Sequence, residues 1–218
     1  ETAAIMQGAG VDALLLPHAL PTPVLAFAVR HLAADAGVMV TASHNPASDN
    51  GYKVYLGDGT QIASPDDTHI AAHIAAVGRV DHLTRSTDFS VLGDEISAAY
   101  IDALCETTVP VSQEIRIAYT PLHGVGRDIF LQVAGRCGLR NIEVEPSQAE
   151  PDPEFPTLRF PNPEEPGAID RVIELARAID ADLVVAHDPD ADRLAAAVPV
   201  PMPPPLDQGT QFRILSGD

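Results

Sequence analysis

The chain has 218 residues, 45% of them hydrophobic and 20% charged, which is the balance of a globular protein long enough for one large or two modest domains. Its formal net charge of -18 excludes nonspecific nucleic-acid binding, because phosphate backbones recruit an excess of Lys and Arg, but leaves room for a phosphorylated small molecule beside a local cation or metal. Cys105 and Cys137 lie far apart without a metal-binding spacing, no apolar run reaches the roughly 18 residues of a membrane span, and no basic segment leads into a signal-peptide core. A cytoplasmic protein without disulfides or a membrane span is therefore expected.

Taken in chain order, "ETAAIMQGAG" reads as the interior of a helix, and "VDALLL" (11–16) as a short apolar strand. "PTPVLAFAVRHLAAD" predicts a helix with Thr22 as N-cap and Pro23 at its first position. "GVMVTA" (37–42) is a buried-strand candidate, and "YKVYLGDGTQI" reads as two short strands around a Gly-Asp-Gly turn. Ser64, Pro65, Asp66 and Asp67 start a helix over "THIAAHIAAV", with acidic groups where the helix dipole favours them, and "DEISAAYIDALCET" predicts another.

Near Val109 and Pro110 the pattern restarts, which places a boundary between a domain over 1–109 and a second over 110–218. "EIRIAYT" is a strand, "GVGRDIFLQVAGRCG" a helix closed by Gly138, and "NIEVE" a strand. Prolines and acidic residues crowd 146–166 into a long loop, in which the Glu164–Glu165 pair of "NPEEP" reads as solvated. The helix "AIDRVIELARAIDA", the strand "DLVVAH" and a Pro-rich connection over 199–205 complete the order. Alternating strands and helices with buried-type strands define an α/β class with a mostly parallel sheet in each half.

In "LVVAHDPDADR" an apolar strand runs straight into Asp188, Asp190 and Asp192, at the kind of strand end where α/β sheets place ligands. Alternation at i, i+2 and i+4 would bring all three carboxylates to one side of an extended segment. Such a cluster repels itself unless a cation sits within it, and hard oxygen ligands select Mg²⁺ or a similar ion. The calcium loop of an EF-hand is excluded, since its sixth and twelfth positions would be Arg193 and Pro199 rather than Gly and Glu. An acidic surface turn is the plainer alternative. A haloacid-dehalogenase-like phosphatase is another, with Asp188 as nucleophile and Asp190 as acid. That family needs Ser or Thr, Lys and further acidic residues well downstream, and only 26 residues follow Asp192.

In "TASHNPASDNGYK" (41–53) Ser43 stands beside His44, but adjacent residues of an extended chain face opposite ways, so His44 need not be its base. There is no G-x-S-x-G elbow, and Asn45-Pro46 and Asn50-Gly51 are turn chemistry. Taken alone, the stretch leaves a catalytic serine and a plain turn both open. His123 in "PLHG" divides in the same way between a cleft and a structural loop, whereas His69, His73 and His82 read as solvated or packed on helix faces.

The two stretches together, with "YTPLHGVG" (119–126) and "DPEFPTLRFPNPEEPGA" (152–168) between them, resemble the α-D-phosphohexomutases. The branch containing phosphoglucomutase-2-type, phosphopentomutase-type and certain bacterial phosphomannomutase enzymes is the most similar. The resemblance implies that Ser43 is a phosphoserine, that Asp188, Asp190 and Asp192 hold Mg²⁺ touching its phosphate, and that Arg193 adds a fixed cation. It makes Lys53 an aid to proton transfer at the sugar hydroxyl, and gives His44 phosphate orientation or proton handling. A phosphorylated sugar is the implied substrate, with glucose 1,6-bisphosphate or a similar compound as activator. Family members have four domains, so the resemblance implies a fragment of domains 1 and 2, two consecutive α/β/α sandwich domains with mixed, mostly parallel sheets, cut before an N-terminal Arg loop and ahead of the sugar- and phosphate-binding loops. If the chain ended natively at Asp218, a non-catalytic phosphate- or metal-binding module would be the alternative.

Overall fold

Thr2–Gly8 forms α1, and the short strand β1 (Leu14–Leu15) follows it. Thr22–His31 is α2, Ala36–Val40 is β2, Tyr52–Leu56 is β3 and Asp66–Ala76 is α3. β4 (Ser90–Val91) pairs in parallel with β1, β2 pairs with β3, and α4 covers Glu95–Thr107. The computed structural model describes residues 1–109, 114–200 and 210–215.

These residues pack as two compact units. One contains Glu1–Ala19, Val24–Met39 and Lys53–Tyr100; the other contains Leu20–Pro23, Val40–Tyr52 and the described residues from Ile101 onward. In the first unit the core is built by Val24, Ala28 and Val29 of α2, with Tyr55 and Ile96, all buried. The edge of the Tyr100 ring meets Phe27 at 5.5 Å between centroids. Gly37 lets β2 approach α2, since a Cβ there would fall 2.4 Å from a Val29 methyl group. The expected second strand of the "YKVYLGDGTQI" hairpin shrinks to a single bridge between Tyr55 and Gln61 across the turn. β4 went unread, because two residues carry no period.

The second unit is a five-stranded mixed sheet. Its strands are β5 (Arg116–Thr120), β6 (Asn141–Val144), β7 (Leu183–His187), β8 (Leu194–Val200) and β9 (Gln211–Leu215), in the order β6-β5-β7-β8-β9. β6, β5 and β7 are mutually parallel, while β8 and β9 turn antiparallel. Two helices fill the crossovers: α5 (Arg127–Arg136) after β5, and α6 (Asp170–Ala178) before β7.

The period-2 alternation of β5 divides the core. Ala118 faces Ile169, Val172 and Ala176 on the α6 side, together with Ala186, Ala195 and Ala197; Ile117 and Tyr119 face the other layer, where Phe130 of α5 packs. Alanines on the α6 face let the helix lie close, and full burial of a Val such as Val172 contributes about 1.5–3 kcal/mol. α5 ends as expected at Gly138, whose φ of +92° suits a residue without a Cβ.

One departure from expectation has a physical cause. β8 covers "LAAAVPV", in which alanines are weak strand formers and Pro199 argues for a connection; pairing with β7 on one side and β9 on the other overrides that local preference. Residues 201–205 of the expected connection lie outside the described residues, as does Pro110 of the expected boundary. The Pro-rich segment 146–166 is a loop apart from one 3-10 turn, but it is packed, with Gln148, Pro161 and Pro163 buried while Glu164 and Glu165 stay exposed. Among the described residues no helix is long and apolar enough to cross a membrane.

Candidate active site and metal centre

β7 and β5 end at the same edge of the sheet, and both run on into loops of the candidate site. After His187 the chain makes a turn closed by the Ala191 N–H donating to the Asp188 carbonyl at 2.9 Å, with Ala191 at a φ of +54°. This turn, rather than extended alternation, brings Asp188, Asp190 and Asp192 together, with one carboxylate oxygen from each within 4.8 Å of the others. The extended geometry expected from i, i+2, i+4 spacing is thereby corrected: three like charges are gathered by a compact loop whose backbone bonds hold it against their repulsion.

Asp188 is fully buried and Asp190 is 4% exposed, whereas Asp192 is exposed. The Arg193 N–H donates to Asp188 Oδ1 at 2.9 Å, and the Arg193 side chain is exposed. Burial first, and the Asp190 charge second, push the Asp188 carboxyl up to about 7. Two buried carboxylates at this separation are a costly arrangement without a compensating cation. An all-oxygen donor set of this size fits a hard divalent ion such as Mg²⁺.

The loop after β2 supplies Ser43. Its Oγ lies 2.9 Å from Asp188 Oδ2 and 2.9 Å from Asp190 Oδ1. A hydroxyl carries one proton, so Ser43 donates to one of the two carboxylates at a time. Ser43 sits at a φ of +53°, its N–H donating to Thr41 Oγ1 at 2.9 Å, and the Asn45 N–H closes a turn on the Ala42 carbonyl. A non-glycine residue held there costs on the order of 1–2 kcal/mol. The turn and the hydroxyl's approach to the carboxylates thus belong to one structure. His44 Nδ1 is 3.3 Å from Ser43 Oγ, a long contact that suits orientation better than proton abstraction. Lys53 is placed half-buried in β3, within the first unit.

Several supporting residues went unread in the sequence. Thr22, read as a helix cap, donates from Oγ1 to Asp190 Oδ2 at 2.6 Å, and its N–H donates to the Asp190 carbonyl at 2.9 Å. The Val125 N–H donates to the Pro189 carbonyl at 2.8 Å, and Gly124 packs so tightly there that a Cβ would meet the Pro189 backbone at 2.3 Å. Below them the Tyr119 hydroxyl is 3.1 Å from His187 Nδ1, and burial holds the His187 imidazole down at about 4, so it is neutral. His123 is occupied structurally: its Nε2 is 2.8 Å from Thr157 Oγ1, which also accepts from Gln148 Nε2, while Gln148 Oε1 accepts from Thr120. His69, His73 and His82 are exposed, as expected.

Fold and site together define an α/β chain in which a strained serine hydroxyl meets a buried carboxylate cluster at a sheet's carboxyl edge. Two family models match in sequence: phosphoglucomutase/phosphomannomutase α/β/α domain I over residues 1–80, and α/β/α domain II of the same family over residues 98–200. The chain belongs to the phosphoglucomutase/phosphomannomutase family. It is 50% identical over 204 residues to a curated protein of Haemophilus influenzae described as "Probable phosphomannomutase", covering 91% of this chain and 42% of that one. It is 42% identical over 201 residues to a phosphoribomutase of Saccharomyces cerevisiae, covering 81% of this chain and 32% of the relative. A crystal structure of a protein assigned as a phosphomannomutase, from Thermus thermophilus, superposes with a TM-score of 0.78 at 27% identity, over 90% of this chain and 44% of that one. The chain thus spans less than half the length of these relatives.

Proposed function

We propose that this chain carries the phosphoserine-loop and metal-loop domains, residues 1–109 and 110–218, of a cytoplasmic phosphosugar mutase that has further domains for sugar and phosphate recognition. The observation that carries the reading is the equal 2.9 Å approach of Ser43 Oγ to oxygens of Asp188 and Asp190. A hydroxyl aimed at a carboxylate cluster suits a residue that exchanges a phosphoryl group next to a cation.

Ser43 carries the phosphoryl group in the active form. Its P–Oγ bond breaks as phosphorus bonds to one hydroxyl oxygen of a sugar phosphate, and Lys53 assists departure of that hydroxyl's proton. The sugar bisphosphate reorients between the 1- and the 6- or 5-positions, and its other phosphoryl group returns to Ser43. Asp188, Asp190 and Asp192 would hold Mg²⁺, which when bound supplies positive charge that neutralises phosphoryl oxygens and polarises phosphorus. Arg193 fixes Asp188 through its N–H and contributes an always-charged guanidinium. His44 orients the phosphate or handles a proton beside Ser43. Glucose 1,6-bisphosphate, or a similar bisphosphate, charges the serine.

The test uses the full-length enzyme. Glucose 1,6-bisphosphate labelled at phosphorus should label Ser43, and Ser43→Ala should remove the label and lower mutase turnover by at least about a thousandfold. Turnover at the wild-type rate in Ser43→Ala, or label recovered on Asp188 as an acyl phosphate, overturns the reading.

A further inference from the structure

We propose that Thr22 is a positioning residue for the carboxylate cluster: it decides which oxygen of Asp190 faces Ser43, and through that sets the affinity of the cluster for a divalent cation. The inference rests on the metal-dependent reading above and adds to it a residue outside both loops. Thr22 is 1% exposed and Asp190 4%, so their 2.6 Å bond is shielded from water, where a bond to a charged acceptor counts most. The contact has two points, because the Thr22 N–H also holds the Asp190 carbonyl. Side chain and main chain of the same aspartate are gripped by one residue 168 positions earlier in the chain.

The geometry accounts for the consequence. The two oxygens of a carboxylate are equivalent until something distinguishes them, and rotation about χ2 exchanges them. A donor on Oδ2 breaks the equivalence and leaves Oδ1 pointing at Ser43 Oγ, 2.9 Å away. Thr22 is itself restrained, since it lies between Pro21 and Pro23 in "LPTPV" and a following proline narrows its backbone range. The hydroxyl is therefore presented from a stiff segment, which reduces the freedom lost when a cation orders the cluster. Partners that hold a ligating carboxylate commonly change metal affinity by about 10–100-fold when removed.

The test measures Mg²⁺ binding by calorimetry on the intact, unphosphorylated protein, with thermal melts of the metal-free forms as a control for folding. Thr22→Val keeps the shape and removes the donor; Thr22→Ser keeps the donor and removes the methyl group. The expected result is Mg²⁺ binding weakened about tenfold or more in Thr22→Val and restored to within about threefold of wild type in Thr22→Ser. If Val prevents folding, Thr22→Ala and Thr22→Ser pose the same question, since both lack the methyl group and only Ser has the donor. Equal Mg²⁺ affinity in the donor-less variant and wild type overturns the inference alone. Failure of the wild-type protein to bind Mg²⁺ removes the metal reading and this inference with it.

Discussion

The serine loop and the aspartate loop meet at one set of oxygens yet are held in opposite ways. The serine loop is tied mainly to itself: the Thr41 N–H donates to the Gly51 carbonyl, the Asn45 N–H to Ala42, and the Gly51 N–H to Asn50 Oδ1, while Ser43 and His44 stay half-buried. The aspartate loop is gripped from outside, by Thr22 on Asp190 and by Val125 on Pro189, with Gly124 pressed against it. Each spends one left-handed non-glycine residue, Ser43 and Ala191. The difference follows from charge. Clustered carboxylates fly apart unless the backbone bearing them is fixed by distant partners, whereas a neutral hydroxyl needs only a local turn and benefits from access to substrate.

The largest effect separating the two loops is expected at Gly124. Gly124→Ala drives a Cβ into the Pro189 backbone, which has no flexible side chain to yield, and should cost about 3 kcal/mol in urea unfolding while also weakening Mg²⁺ binding. A loss below about 1 kcal/mol with unchanged Mg²⁺ affinity would show that the aspartate loop is not gripped from that side.

A smaller effect comes from charge. The folded Asp188 carboxyl is raised to about 7, above the ordinary carboxylate value near 3.9, so the fold favours its protonated form. Its contribution is therefore most favourable at acid pH and is lost as pH rises from about 4 through 7. Without Mg²⁺, Asp188→Asn should gain stability relative to wild type across that window, on the order of 2 kcal/mol, and saturating Mg²⁺ should reverse the order. A pH-independent difference between the two proteins breaks the account of Asp188.

The smallest effect belongs to the serine loop. A Cβ on Gly51 would meet the Thr41 carbonyl at 2.7 Å, but the segment is half-exposed and local, so Gly51→Ala should cost only about 1 kcal/mol. It should slow labelling of Ser43 while leaving Mg²⁺ affinity of the unphosphorylated protein within about twofold. Mg²⁺ binding that falls as far as in Gly124→Ala would mean the two loops are not held independently.

Much of this was legible without coordinates where the signal is local. β5, β7 and α6 follow from apolar runs and helical spacing, and the chemical character of Ser43, Asp188, Asp190 and Asp192 follows from residue type and order in two long stretches. β8 was hidden because its alanines have little preference of their own and take their state from β7 and β9. The surroundings of His123 are likewise set from afar, by Thr157, which Gln148 in turn holds.

What the amino-acid order by itself determined is the α/β class, the strand leading into the carboxylates, and the pairing of a serine stretch with an acidic one. Those depend on periodicity and residue chemistry, which are properties of neighbours in the chain. The tertiary structure alone decided that the carboxylates gather through a turn at Ala191, that Ser43 points at two of them, and that Thr22, the first residue of α2 rather than its expected N-cap, is bound to Asp190. A hydrogen bond needs two groups within about 3 Å, and residues 168 positions apart reach that distance only after hydrophobic burial has folded the chain back on itself.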